Sequence, residues 1–226
     1  MLKGLLFDLD GVLTDSAKFH LQAWSQLATQ LGITLTPAER EGLRGRSRLD
    51  SLNLILAAGA QEDRFSAAEK TALTDQKNAV YLKLIQTMTP VDILPGIPQL
   101  LKDAQAAGLK MAIASASRNA PTILDHLGLA ASFDAIVDPA TLHRGKPDPE
   151  IYQQAQALLG LQAAEVIGFE DASAGVAAIK AAGQFAVGIG DARLLAAADY
   201  LVKDTAALQL SQLQAAFAKE SGETNG

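Results

Sequence analysis

Short apolar runs recur along this chain with helical patterns between them, and few folds accommodate that alternation. The runs are Leu5–Phe7, Leu109–Ala114, Ala135–Val137, Val166–Phe169, Phe185–Ile189 and Tyr200–Val202. They are short enough for strands and read as buried ones. The helical patterns end on glycine: Ile97–Ala107 before Gly108, Pro121–Leu127 before Gly128, Glu150–Leu159 before Gly160 and Gly175–Ala182 before Gly183. Strand alternating with helix predicts βαβ units. The expected class is therefore α/β, with a Rossmann-like parallel sheet covered by helices on both faces.

The alternation breaks once. Residues 16–89 hold only helical patterns, Lys18–Leu31, Leu49–Ala58 and a long one over Ala67–Met88. This predicts a helical cap domain inserted after the first strand. The expected division gives residues 1–15 and 90–226 to the α/β core and 16–89 to the cap, with 219–226 as a polar, disordered tail. A chain of 226 residues, 49% of them apolar, can bury cores of this size. Its formal net charge of −6 argues against nucleic acid and anionic membranes as partners. There is no cysteine, which excludes disulfides, thiol catalysis and thiolate metal sites. Asp8 and Asp10 interrupt the first apolar run, so it does not read as a signal peptide, and no run approaches the ~20 residues of a membrane span. A cytoplasmic monomer is expected.

In open parallel sheets ligands bind at the carboxyl ends of the strands, and four polar groups fall there. Asp8 and Asp10 end the first run, and Gly11 breaks the chain after them. If extended geometry lasts through Asp10, both carboxylates face one side, about 6–7 Å apart. One could then act as a nucleophile while the other serves a proton, and a divalent cation would relieve their repulsion. Ser115, Ser117, Arg118 and Asn119 follow the second run. There a hydroxyl and free amides could hold phosphate oxygens, or a residue could simply cap the helix at Pro121. Lys146 lies in Gly145-Lys146-Pro147-Asp148-Pro149-Glu150, a compact cation for a phosphate or a carboxylate, or else a solvated loop lysine. Glu170 and Asp171 close the fourth run and suit a hard cation, or a helix N-cap.

Taken in order, these groups resemble the four motifs of the haloacid dehalogenase superfamily of phosphoryl-transfer enzymes, over about residues 1–190. The supporting stretches are FDLDGVLTDS, His20 with Trp24, LRGRSRLDSL, ASASRNAP, GKPDPE and GFEDASAGVAAIKAAG. The cap stretches look like those of members that move a phosphoryl group between two positions of a glucose phosphate. The resemblance implies Asp8 as the nucleophile that becomes an aspartyl phosphate, and Asp10 as general acid and base. It implies Mg²⁺ held by Asp8, Asp10, Glu170 and Asp171, with Ser115 and Lys146 holding the transferring phosphoryl group. His20 would help to place Asp10 as the cap closes. Arg48 would hold the phosphate that is not transferred, and Ser117, Arg118 and Asn119 would hold it in the opposite substrate orientation. Arg44 and Gly45 would close over the sugar, near Trp24, although Trp24 reads equally as cap core. Arg44 and Arg118 stand where relatives carry lysine, and Arg46 adds a cation beside them. The implied activity is a phosphosugar mutase acting on a small sugar phosphate through a 1,6-bisphosphate. The alternatives are a sugar-phosphate phosphatase with the same core and a phospho-receiver domain.

Overall fold

The computed structural model describes residues 1–43, 48–220 and 222. Strands β1 (Gly4–Phe7), β2 (Lys110–Ile113), β3 (Ala135–Ile136), β4 (Val166–Glu170), β5 (Phe185–Ile189) and β6 (Tyr200–Val202) form one sheet in the order β3-β2-β1-β4-β5-β6. Every pairing is parallel. The chain leaves β1 with β2 on one side and β4 on the other, so the strand order reverses at β1, and a crevice opens at such a point beyond the strand ends. The register aligns Phe7 with Ile113 of β2 and with Phe169 of β4. The residues that follow these three therefore leave the sheet side by side.

The chain divides into two compact units, Met1–Asp15 with Thr89–Gly226, and Ser16–Met88. The helical unit holds α1 (Ala17–Gln30), α2 (Pro37–Glu41), α3 (Arg48–Ala58) and α4 (Ala67–Ile85). The core unit adds α5 (Ile97–Ala106), α6 (Ala120–Leu127), α7 (Glu150–Leu159), α8 (Ser173–Ala181) and α9 (Leu210–Glu220).

Every residue of β1, β4 and β5 is buried, as a parallel sheet covered on both faces requires. Leu6, Ala112, Val166 and Ala186 pack with Ile151, Tyr152 and Ala155 of α7 and with Val176 and Ile179 of α8. The rings of Phe7 and Phe169 stack at 4.6 Å. Gly128 and Gly160 end α6 and α7 in the left-handed conformation, where a side chain would be strained. In the helical unit Trp24, Leu27 and Ala28 of α1 pack with Leu52, Ile55 and Leu56 of α3. Capping boxes at Thr36/Glu39 and Ser66/Glu69 start α2 and α4.

Strand β1 ends at Phe7, where the first apolar run ends, and the condition of extended geometry through Asp10 is not met: Leu13 N–H turns back to donate to Leu9 O at 2.9 Å. Other bounds are corrected. Helix α4 stops at Ile85, short of Met88, and the following residue caps it. Helix α2 was not foreseen. Nor was α9, which absorbs Lys219 and Glu220 from the expected polar tail, since Leu213 and Phe217 bury against the core. Ser221 and residues 223–226 lie outside the described residues.

Gly168 sets how closely α8 approaches the sheet. A Cβ there would meet three atoms of Ile179 at 2.8–2.9 Å, so α8 lies directly against β4. Because α8 begins two residues after Asp171, this contact fixes where the paired acids emerge. Gly168→Ala is expected to push α8 off the sheet and to lower stability by about 1–3 kcal/mol. Urea unfolding measures the loss, and a variant as stable as the parent would show that the contact carries no strain.

Candidate active site

The site is assembled from the ends of β1, β2 and β4 and from the loop before α7. Asp8 follows β1, is only 8% exposed, and donates its N–H to Phe169 O at 3.1 Å. The chain then bends. Gly11 N–H donates to Thr14 O at 2.8 Å, and the buried Thr14 hydroxyl donates to Asp92 O at 2.8 Å. This turn, not a continued strand, brings Asp10 back toward Asp8 and Asp171.

Lys146 Nζ lies 2.7 Å from Asp8 Oδ1 and also donates to Glu170 Oε1. Its loop is tied down from α7. The Glu150 carboxylate accepts the His143 and Arg144 amides at 2.9 and 2.8 Å, and Arg144 pairs with Asp148 at 3.2 Å. The His143 and Arg144 side chains are exposed, but their amides anchor the lysine loop. Ser115 follows β2, where Ala114 N–H donates to Phe7 O at 2.7 Å. Its hydroxyl oxygen accepts Ser117 N–H at 3.2 Å, and Ser117 Oγ accepts Asn119 N–H at 3.3 Å. Each hydroxyl keeps its own proton to donate to an anion.

Burial, opposed by Lys146 and reinforced by the Glu170 charge, raises the Asp8 carboxyl to about 6. Burial and then the Asp8, Asp171 and Asp15 charges push Asp10 up to about 8. Burial alone would lower the Lys146 ammonium, yet the Asp8 and Glu170 charges hold it above its usual range. The site therefore carries more acids than its one lysine can neutralise. Asp8, Glu170 and Asp171 each offer an oxygen, all within 4.8 Å of one another, a donor set suited to a hard divalent cation. The backbone makes room for it. A Cβ at Gly11, where φ is +75°, would lie 1.9 Å from Asp171 Oδ2, and one at Gly175 would lie 1.9 Å from the Glu170 carboxylate. The residues thus fit Mg²⁺.

A family model described as haloacid dehalogenase-like hydrolase matches residues 2–183. The chain belongs to this family. It is 45% identical over 212 residues to a β-phosphoglucomutase of Bacillus subtilis (strain 168), covering 94% of each chain. It is also 32% identical to a validoxylamine A 7'-phosphate phosphatase of Streptomyces hygroscopicus subsp. limoneus, over 90% of this chain and 94% of the relative. The crystal structure of a β-phosphoglucomutase from Clostridium difficile superposes with a TM-score of 0.92 at 40% identity, covering 97% of this chain and 99% of that one.

In this haloacid dehalogenase-like chain the remaining candidates divide between the two units. Arg118 is exposed at the start of α6, with Ser117 and Asn119 half-buried beside it. Arg48 opens α3 in the helical unit. Arg44, Gly45 and Arg46 lie outside the described residues. Trp24 is 3% exposed in the core of the helical unit, so packing is its evident part there.

His20 belongs to a cluster that the sequence did not announce. Lys77 of α4 is buried, and its Nζ lies 2.7 Å from His20 Nδ1, 4.7 Å from the Trp24 ring and 4.9 Å from the Tyr81 ring. The His20 and Tyr81 rings stack at 3.9 Å. Lysine only donates, so Nδ1 accepts and the imidazole proton resides on Nε2. No spacing signal marks Lys77 or Tyr152, the buried tyrosine of α7 beside Lys146. Each reads in the sequence as an ordinary helix residue.

Burial, then the Lys77 and Arg48 charges, lower His20 from 6.5 to about 3. The unfolded chain therefore takes up the proton first as pH falls. The stabilisation from neutral His20 is complete above about pH 6.5 and is lost as pH falls toward 3. The His20 ring is expected to stay neutral, protonated on Nε2, from pH 8 to pH 5 in nitrogen–proton NMR correlations. A titration midpoint between 6 and 7 would contradict this environment.

Proposed function

We propose that this chain is a phosphosugar mutase that interconverts β-D-glucose 1-phosphate and glucose 6-phosphate through an aspartyl phosphate on Asp8 and a glucose 1,6-bisphosphate. Its identity to a β-phosphoglucomutase carries the proposal, because 94% coverage of both chains takes in the helical unit as well as the four strand-end motifs. A phosphatase relative at 32% identity shares the core chemistry at lower similarity.

The Asp8 carboxylate attacks the phosphorus in line, forming the aspartyl phosphate as the bond to the sugar oxygen breaks. Asp10, held protonated near neutral pH by its raised pKa, gives its proton to that leaving oxygen. In the reverse half it takes the proton from the sugar hydroxyl that accepts the phosphoryl group. Lys146 neutralises negative charge on the transferring group, and the free proton of Ser115 Oγ binds one of its oxygens. Asp8, the Asp10 carbonyl, Glu170 and Asp171 would hold Mg²⁺, which would supply neutralisation of charge on the phosphoryl oxygens. Arg48 binds the phosphate that is not transferred, with Ser117, Arg118 and Asn119 serving the opposite orientation of the bisphosphate. On this reading the helical unit acts as the cap that admits sugar and excludes water, and His20 helps to place Asp10 as the cap closes.

A coupled assay with β-glucose 1-phosphate, Mg²⁺ and catalytic bisphosphate tests the activity, with α-glucose 1-phosphate as the control and free phosphate followed in parallel. Glucose 6-phosphate from the β anomer alone is expected. Stoichiometric release of free phosphate would instead make the chain a phosphatase. Asp8→Asn is nearly isosteric and should abolish turnover with the fold intact by circular dichroism. Activity within tenfold of the parent would exclude the aspartyl phosphate.

Arg48→Ala separates the cap from the core chemistry. A lost charge-assisted contact is worth about 1.5–3 kcal/mol, and misalignment adds to it, so mutase turnover should fall roughly 10²-fold or more. Phosphorylation of Asp8 by acetyl phosphate should fall much less, since that donor has no second phosphate. Equal losses in the two rates would mean that Arg48 supports the fold instead.

A further inference from the structure

Glu170 is held by more than the lysine beside it. Tyr152, fully buried on α7, places its hydroxyl 3.0 Å from Glu170 Oε1 and 3.2 Å from Phe169 O. The same Oε1 receives Lys146 Nζ, whereas among the described residues Oε2 accepts the Ala172 amide, at 3.3 Å. The backbone of α8 walls the carboxylate at Gly175, where even a methyl group would overlap it. The Tyr152 ring also lies 5.1 Å from Lys146 Nζ, in range of a cation–π contact. Gln184, itself buried, donates to Tyr152 O at 3.1 Å and to Gln156 Oε1 at 2.9 Å, fixing this turn of α7 against the start of β5.

The geometry points to Tyr152 as a positioning residue that engages Glu170 Oε1, so that Glu170 presents its other oxygen to the divalent cation. This inference rests on the Mg²⁺ reading of the site given above. Lys146 cannot fix the carboxylate alone, because it is shared with Asp8 and must be free to follow a phosphoryl group. A neutral hydroxyl on a rigid ring is not drawn away by a phosphoryl group, and Glu170 Oε1, at 3.0 Å, is nearer to it than Phe169 O, at 3.2 Å. Partners of this kind behind a metal-ligating carboxylate typically change metal affinity by about 10–100-fold when removed. Phenylalanine at position 152 would keep the ring beside Lys146 and delete the hydroxyl's contacts with Glu170 Oε1 and Phe169 O.

The test is Mg²⁺ binding to the purified full chain by calorimetry, with no sugar phosphate present. Tyr152→Phe should raise the Mg²⁺ dissociation constant about tenfold or more, in line with outer-shell partners in general. Glu170→Gln should weaken binding on its own, and adding Tyr152→Phe to it should change little further, since the hydroxyl acts through that carboxylate. In the parent chain the buried Tyr152 hydroxyl proton should shift in the NMR spectrum as Mg²⁺ is added, which tests the idea without a variant. Affinity within twofold of the parent for Tyr152→Phe, additive losses in the double variant, or an unmoved hydroxyl resonance would each return Tyr152 to core packing. A parent chain that binds no Mg²⁺ overturns this inference together with the metal reading. Failure of the mutase assay with Mg²⁺ binding retained counts against the proposed activity alone.

Discussion

One buried ammonium organises the core unit. Lys146 bridges Asp8 and Glu170, which leave the adjacent strands β1 and β4 one residue after the paired Phe7 and Phe169. All three side chains are largely out of water, so none can lose its partner cheaply. Breaking a buried ion pair by removing one partner typically costs about 3–5 kcal/mol, because the remaining charge has no solvent to retreat to. Strand register, the Glu150 contacts that tie down the lysine loop, and the Tyr152 hydroxyl all serve this contact. Yet one lysine is not enough. Asp10 and Asp171 stand beside the pair, and burial first, then the neighbouring acid charges, raise both Asp8 and Asp10. A fold that keeps its acids together at this disadvantage has a site that a divalent cation would complete in charge.

The glycines of the strand-end motifs follow from the same crowding. Gly11 and Gly175 are the positions where a single methyl would displace Asp171 and Glu170, and Gly168 lets α8 approach β4 closely enough to aim both acids. These positions are spatial necessities of the carboxylate cluster. They explain why the fourth motif reads as a glycine, two acids and then another glycine within one strand-to-helix turn.

The sequence made the strand-end chemistry legible for a physical reason. A parallel sheet exposes its carboxyl ends together, so residues at the ends of β1, β2 and β4 converge whatever lies between them. The places where the reading slipped involve contacts distant in the chain. Helix α9 was hidden because only Leu210, Leu213 and Phe217 of an otherwise polar segment find the core. Lys77 and Tyr152 were illegible altogether. Their chemistry comes from burial beside His20 and Glu170, and no spacing encodes that.

The two units also divide the chemical problem. Lys146, Glu170 and the Leu9 backbone, which act on the Asp8 carboxylate, all belong to the core unit, and on the proposed reading that unit would take the phosphoryl group from a small donor. On that reading Asp10 would accept a proton from a sugar hydroxyl or from water alike. Discrimination must then reside in groups supplied from elsewhere in the chain. The helical unit carries such groups in a form costly to build by chance: a lysine buried among aromatic rings, keeping an imidazole neutral with its proton on the outer nitrogen. A charged His20 would repel the Arg48 guanidinium that shares its unit, whereas a neutral one can donate a hydrogen bond without adding a cation. On the proposed reading, Lys77 thus lets the same small unit present Arg48 to a phosphate and His20 to an acid, two tasks that would conflict if the imidazole titrated near neutral pH.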